Sequence, residues 1–277
     1  MPELPEVEHA ARRLAAAAVG KRLAAVRTFH PAIRRGLSDE AAATLAGRDV
    51  ERVERRGKYQ LVHLSDGLVL IAHFRMAGDW EVGAPSVLPR LARAALEFTD
   101  GSAVYLTDGR AFATLVVRPS GAEALPQLGL DAASPDVDGP YLAAVLAARR
   151  APIKQALLDQ AVLAGLGNIY AAEALWHAEI SPLVPANQLG PAALERLATA
   201  IHLTLALAQD DPGRYSRGEG LERLSVYGRE GEPCLRCGSA VARVAQGGRS
   251  TYWCPGCQRR PRGGRARLSR APRAVRP

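Results

Sequence analysis

The sequence predicts an α+β protein: a β-rich N-terminal half, a helical middle and a short cysteine-bearing hairpin towards the C-terminus. Three observations carry that prediction. Residues 22–118 hold apolar runs separated by Asp-Gly turns, the signature of antiparallel strands. From 141 to about 210 the apolar residues recur at helical spacing instead. All four cysteines of the 277-residue chain fall into two CxxC pairs, CLRC at 234–237 and CPGC at 254–257.

The opening, MPELPEVEHAARR, predicts a helix over residues 4–18, since proline suits a first turn and acidic residues favour a helix N-terminus. It lacks the basic head, apolar centre and small-residue cleavage site of a secretory signal. Removal of Met1, which a small second residue permits, would turn Pro2 into a secondary amine with Glu3 and Glu6 close behind. Two long-stranded hairpins follow, VERVERRGKYQLVHL–SDG–LVLIAHFRM and AALEF–TDG–SAVYL, implying an antiparallel sandwich or barrel.

Residues 119–140 read as a linker. Beyond them YLAAVLAARR, IKQALLDQAVLAG, NIYAAEALWHAEI and AALERLATAIHLTLALAQ read as helices. A Gly-rich turn separates the second from the third, with Asn168 where the third begins. Asn168 is either an ordinary N-cap or part of an anion site made from its amide and the freed backbone N–H groups. The predicted organisation is a β domain at 1–118, a linker at 119–140, a helical domain at 141–225, a finger at 226–258 and a basic tail at 259–277.

Sixteen residues separate the CxxC pairs, and VARVA–QGGR–STYW between them reads as a hairpin. That is the spacing of a tetrahedral zinc site built by Cys234, Cys237, Cys254 and Cys257. A disulfide framework is disfavoured without a signal peptide or other cysteines. A redox CxxC lacks its thioredoxin-like context.

Charge is placed unevenly. Net charge is +8, yet residues 258–277 alone hold eight Arg and no acid. Without them 28 basic residues balance 28 acidic ones, so the excess sits on a Pro/Gly/Arg tail suited to a polyanion such as nucleic acid. No apolar run approaches the roughly 18 residues of a membrane span. Basic residues comprise 33 Arg and only three Lys (Lys21, Lys58 and Lys154), so each Lys marks a place where arginine was not used.

The chain resembles the formamidopyrimidine-DNA glycosylase/endonuclease VIII family, and its formamidopyrimidine branch in particular. The resemblance rests on PELPEVE at 2–8, RRGKYQL at 55–61, HFRMAG at 73–78 and DGRAF at 108–112. It continues through PIKQALLDQ…GLGNIYAAEALW at 152–176, VYGREGEPC at 226–234 and the finger ending STYWCPGCQ. It implies an N-terminal β-sandwich, a helix–two-turn–helix domain and a C-terminal zinc finger holding one structural Zn2+. It also implies a cytoplasmic monomer that acts on double-stranded DNA with a damaged base or abasic site, excising oxidised bases and then nicking the strand.

By the same resemblance Pro2 is the nucleophile, Glu3 the general acid and Glu6 an orienting or proton-relaying carboxylate. Lys58 contacts phosphate and assists elimination, and Arg249 helps the second elimination. Met76, Arg110 and Phe112 fill the void left by an everted nucleotide. His73, Lys154, Asn168 and Arg249 grip phosphates, with Arg149 and Arg150 as further candidates. Alternatives are an endonuclease VIII-like preference for oxidised pyrimidines, or a lesion-binding protein without catalysis.

Three places depart from the branch's pattern. RLAR at 90–93 stands for a basic–His–Asp–His run, leaving Arg90 or Arg93 to replace a histidine phosphate contact. DGRAF stands for Asp-Pro-Arg-Arg-Phe, which is expected to loosen that loop. DPGRYSRGEGLERL at 211–224 is shorter and more charged than the loop that caps 8-oxoguanine in the branch.

Overall fold

Helix α1 spans Leu4–Ala18, as its sequence predicts, with Glu3 as N-cap and Pro5 in its first turn. Leu4, Val7, Leu14 and Ala18 form its buried stripe. The computed structural model describes residues 1–121, 125–209 and 224–259. Two compact units emerge, Met1–Gln127 and Leu128–Pro277.

In the first unit, β1 (Leu23–Thr28) precedes two short helices, α2 (Pro31–Arg34) and α3 (Asp39–Ala43). Strands β2 (Val50–Arg56), β3 (Tyr59–Leu64), β4 (Leu68–His73), β5 (Gly78–Gly83), β6 (Ala92–Phe98), β7 (Ala103–Asp108) and β8 (Thr114–Pro119) complete it. They form two antiparallel four-stranded sheets, β1-β6-β7-β5 and β2-β3-β4-β8. Val26, Leu96 and Leu106 of one sheet share a core with Val62, Leu70 and Leu115 of the other. This is a sandwich, and α1 packs against its β2 and β5 strands. Each fully buried Leu contributes roughly 1.5–3 kcal/mol.

The helices α2 and α3 interrupt a stretch expected to be wholly β. Helices of one turn carry no readable periodicity. Their local signals are Pro31 at the start of α2 and the Ser38 hydroxyl, which accepts the Ala41 N–H at 3.2 Å.

In the second unit, β9 (Leu130–Asp131) pairs in parallel with β10 (Leu163–Ala164). Helices α4 (Gly139–Leu146), α5 (Ile153–Leu158), α6 (Asn168–His177) and α7 (Pro191–Gln209) complete the helical part, with α7 packed on α4 and α6. The helix expected over IKQALLDQAVLAG stops at Leu158. The Gln160 amide donates to the Leu158 and Leu166 carbonyls at 3.1 and 2.9 Å, and its oxygen accepts the Gly165 N–H at 3.0 Å. The Asp159 carboxylate takes the Ala161 N–H at 3.0 Å. Side chains that bond nearby backbone in this way support turns at the expense of helix.

Strands β11 (Ala242–Gln246) and β12 (Arg249–Trp253) form the expected hairpin. Gly247 and Gly248 take φ of +56° and +72°, the left-handed pair a two-residue hairpin of this hand requires. The Gln258 amide donates to the Ile180 carbonyl at 2.9 Å and accepts the Cys254 N–H at 2.7 Å. Gln246 donates to the Pro182 carbonyl at 3.1 Å. The hairpin is thereby stitched to the segment after α6.

Candidate active site and metal centre

The start of α1 fixes the geometry around Pro2. A Glu6 carboxylate oxygen accepts the Glu3 N–H at 2.8 Å. That N–H belongs to the Pro2–Glu3 peptide, so Glu6 holds the plane from which the proline ring projects. Pro2 is half-buried, and Glu3 is only 2 % exposed. A carboxyl shielded from bulk water and next in sequence to Pro2 suits proton donation.

Lys58 sits in the two-residue turn between β2 and β3, where Arg56 and Tyr59 are the last paired residues. Gly57, the first turn residue, has φ +56°, so a β-carbon there would be strained. The turn sinks Lys58 to 8 % exposure, unusual for lysine and unlike a solvated strand edge.

His73 ends β4. Its Nδ1 accepts the Arg75 N–H at 3.0 Å, leaving the ring proton on Nε2 as a donor. Burial first, then the charges of Arg75 and Lys58, lowers its pKa to about 4. The Tyr59 ring lies 4.6 Å away. His73 is therefore expected to stay neutral down to about pH 5 and to serve as an uncharged donor. Because the folded pKa lies below the unfolded one, the unfolded chain binds the proton first. The contribution of His73 to stability is complete above about pH 6.5 and fades as pH falls towards 4. A histidine-resolved NMR titration should place its midpoint near 4; a midpoint near 6.5 would contradict this burial.

The 108–112 loop is tightly organised. Asp108, 1 % exposed, accepts the Arg110 N–H at 2.9 Å with one carboxylate oxygen. Its other oxygen accepts those of Phe112 and Ala113 at 2.7 and 2.8 Å. Arg93 Nε donates to the Asp108 carbonyl at 2.7 Å. These bonds hold the backbone on either side of Gly109, the position where the branch's pattern has proline. Arg110 and Phe112 are held out into solvent, Phe112 at 58 % exposure, and Met76 at 40 % protrudes from the turn after β4. Exposed Met and Phe on ordered turns are not core residues, and their shapes suit wedging between bases.

In the second unit, Lys154 on α5 is 1 % exposed. Its ammonium reaches Asn168 Oδ1 at 2.7 Å, the Ser250 carbonyl at 3.0 Å and Thr251 Oγ1 at 2.8 Å. Asn168 is the first residue of α6 rather than its N-cap, a position Gly167 fills. Its Nδ2 donates to the Ser250 carbonyl at 3.1 Å and the Tyr227 hydroxyl at 3.3 Å. These bonds join the start of α6 to the finger strand β12. Arg149 pairs with Asp159 at 2.6 Å, while Arg150 and Arg249 are exposed, Arg249 beside the turn of the finger hairpin. The 211–224 segment lies outside the described residues apart from Leu224, as does the tail beyond Arg259.

The four cysteine sulfurs lie within 4.8 Å of one another, with Cys234–Cys257 at 3.9 Å and Cys237–Cys254 at 3.4 Å. Tetrahedral Zn–S bonds of about 2.3 Å place sulfurs about 3.8 Å apart, so the cluster fits one Zn2+. Four protein ligands leave no open position, so the ion is structural. Around it, Trp176 Nε1–H donates to Cys234 Sγ at 3.4 Å, and the Arg236 guanidinium stacks 4.1 Å from the Trp176 ring centroid.

Comparison with known proteins places this architecture. Residues 1–115 match the formamidopyrimidine-DNA glycosylase N-terminal domain, 128–215 its H2TH domain, and 231–260 the zinc finger found in FPG and IleRS. The formamidopyrimidine-DNA glycosylase of Sphingopyxis alaskensis is 42 % identical over 274 residues, covering 94 % of this chain and all of the relative. The chain belongs to the formamidopyrimidine-DNA glycosylase family. A crystal structure of a Lactococcus lactis FPG variant with DNA containing Fapy-dG is similar at TM-score 0.86 and 31 % identity. It covers 94 % of this chain and 100 % of that one. The Lactococcus lactis Fpg complex with abasic-site DNA gives 0.85 and 29 %, covering 93 % and 100 %.

In this member of the formamidopyrimidine-DNA glycosylase family, residues that hold others in place carry the faintest sequence signals. The bracing role of Asp108 is one such case and Glu173 another. The latter, 4 % exposed, accepts the N–H groups of Ser225, Val226 and Tyr227 at 2.7, 3.0 and 2.9 Å. Its signal was legible in NIYAAEALW, where one acid stands among apolar residues on a helix with no polar face.

Proposed function

We infer that this chain is a bifunctional DNA glycosylase of base excision repair, a formamidopyrimidine-DNA glycosylase that also cleaves the strand at abasic sites. The observation that carries the residue assignments is the ordered start of α1, with half-buried Pro2, buried Glu3 and the Glu6 brace on their shared peptide. Freed of Met1, Pro2 is a secondary amine with a pKa of about 8, nucleophilic near neutrality. Its nitrogen attacks the sugar C1′ and the base departs with the bonding electrons, while Glu3 delivers a proton to the ring oxygen or to the base.

A secondary amine can form only a cationic iminium. That cation draws electrons from C2′, whose proton is lost as the 3′ phosphate is expelled, and the 5′ phosphate follows in a second elimination. Lys58 supports the first elimination and Arg249 the second. His73, Asn168, Arg149 and Arg150 are the candidates for phosphate contact, whereas Lys154, buried and bonded to Asn168, Ser250 and Thr251, serves as the brace of Asn168. Met76, Arg110 and Phe112 occupy the space of the everted nucleotide. The protein acts as a cytoplasmic monomer on chromosomal DNA, and among the described residues no helix is long and apolar enough to cross a membrane.

Turnover on duplexes carrying formamidopyrimidine, 8-oxoguanine, thymine glycol, dihydrouracil or an abasic site tests this reading. Formamidopyrimidine release with nicking at abasic sites is the expected result. Faster release of the two pyrimidines would indicate an endonuclease VIII-like preference; binding without any nick would leave only lesion recognition. Deleting residues 259–277 is expected to flatten the salt dependence of DNA binding with little change in single-turnover rate. Each phosphate that the tail neutralises adds about 0.9 to the log–log slope, and the truncated chain forgoes that increment. An unaltered slope would show that the tail does not touch DNA.

A further inference from the structure

The residues proposed for chemistry in the first unit come from two separate pieces of chain: the start of α1 and the β2–β3 turn. The Arg55 side chain is a bridge between them. Arg55, on β2, sends Nε to Glu8 Oε2 on α1 at 2.6 Å, while its Nη1 donates to the Gly57 carbonyl at 3.0 Å. That carbonyl belongs to the peptide bond leading into Lys58. Glu8 uses its second oxygen to hold Arg12 one turn along α1, at 2.7 Å.

The Glu8–Arg55 pair is the less exposed kind of ion pair: the two side chains are 21 % and 11 % exposed. Burial works against the Glu8 charge, but the hydrogen bonds and charges of Arg55 and Arg12 outweigh it and lower its pKa. On the same strand Arg56 pairs with Glu54 at 2.6 Å, and Glu54 also meets the buried His63 at 3.2 Å. A planar guanidinium can hold a carboxylate and a carbonyl at once in fixed directions; an ammonium cannot fix two acceptors in this way.

We propose that Arg55 and Glu8 are positioning residues that set Lys58 at a fixed distance and angle from Pro2 and Glu3, and that they serve strand elimination more than base loss or DNA binding. The inference rests on the functional reading above. Attack by Pro2 and protonation by Glu3 need the start of α1, which Glu6 braces from within the same helix. Lys58 must meet the iminium and its phosphate after the base has gone, and the Arg55 fork ties its peptide to that helix. A displacement of about 1 Å at a reacting group can cost up to ~100-fold in rate.

The test uses the full-length chain, with Glu8→Gln, Arg55→Lys and Arg55→Met compared with the wild type. Three quantities are read on abasic duplexes: borohydride-trapped adduct formation, nicking without borohydride, and affinity for an uncleavable tetrahydrofuran duplex. Adduct formation and affinity are expected to stay within about threefold of wild type, while nicking falls about tenfold or more in Glu8→Gln and Arg55→Met. Arg55→Lys, which keeps the ion pair and loses the fork, should recover only part of the nicking rate.

Nicking equal to wild type in both Arg55 variants overturns the proposal. So does a parallel fall of adduct formation and nicking in correctly folded protein, judged by unchanged thermal melting. If Glu8→Gln fails to fold, the two Arg55 variants decide the matter through the same ratio of nicking to adduct. A wild-type chain that forms no adduct sinks the functional reading itself; a wild type that cuts alongside variants that cut as fast sinks only the strut.

Discussion

Replacing Pro2 with glycine is expected to lower base excision at least about a hundredfold while leaving affinity for lesion DNA nearly unchanged. A glycine amine is still nucleophilic, but its adduct with C1′ is a neutral imine unless protonated. The proline adduct has no neutral form, so the electron sink that drives base loss and elimination is always present. The substitution also removes the ring that projects from the peptide plane Glu6 holds through the Glu3 N–H. Glu3→Gln should remove the proton donor and cost about 10²–10⁴-fold in excision. Elimination at a preformed abasic site, where no base remains to be protonated, should be spared in part. Equal losses on damaged-base and abasic duplexes would contradict that division of labour between Pro2 and Glu3.

The second large effect concerns the metal. Removing zinc, by chelation or by Cys234→Ser, is expected to unfold the finger and abolish tight DNA binding while the β-sandwich persists. The apolar cluster supporting the finger is small, comprising Ala172, Trp176, Val226, Val241, Cys234 and Cys254, with Tyr227, Tyr252 and Cys257 against it. Such a cluster cannot replace a structural zinc site, which supplies roughly 10–16 kcal/mol in finger peptides. Trp176 reports the event directly, because it loses both the Cys234 sulfur and the stacked Arg236. A shift in tryptophan emission with loss of binding and retained β-sheet circular dichroism is the predicted result. Full affinity in metal-free protein would contradict it. The consequence should reach Asn168 and Lys154, since both lean on β12 through Ser250 and Thr251.

Long elements with repeated apolar spacing are legible in the sequence: α1, the β2–β3–β4 meander, the β6–β7 hairpin and the finger. The zinc ligands are equally legible, because two CxxC pairs admit few other chemistries. Short elements are not. Helices α2 and α3 are too brief to show a period, and α5 ends where Gln160 turns its amide onto the backbone, a choice hidden within a helical-looking run. Supporting residues are the least visible, for a physical reason. The Asp108 side chain binds three N–H groups within five residues, yet its sequence context is an ordinary Asp-Gly turn. Arg55 acts across 47 residues of chain separation, and no local pattern announces which of two adjacent arginines turns inward.

Proline chemistry is tested most directly by borohydride trapping on an abasic duplex, using protein shown by mass spectrometry to lack Met1. The predicted result is a covalent protein–DNA adduct whose peptide map places the sugar remnant on Pro2, and whose formation fails when Met1 is retained. No adduct from Met-free protein, or an adduct mapped to Lys58 in place of Pro2, would contradict it.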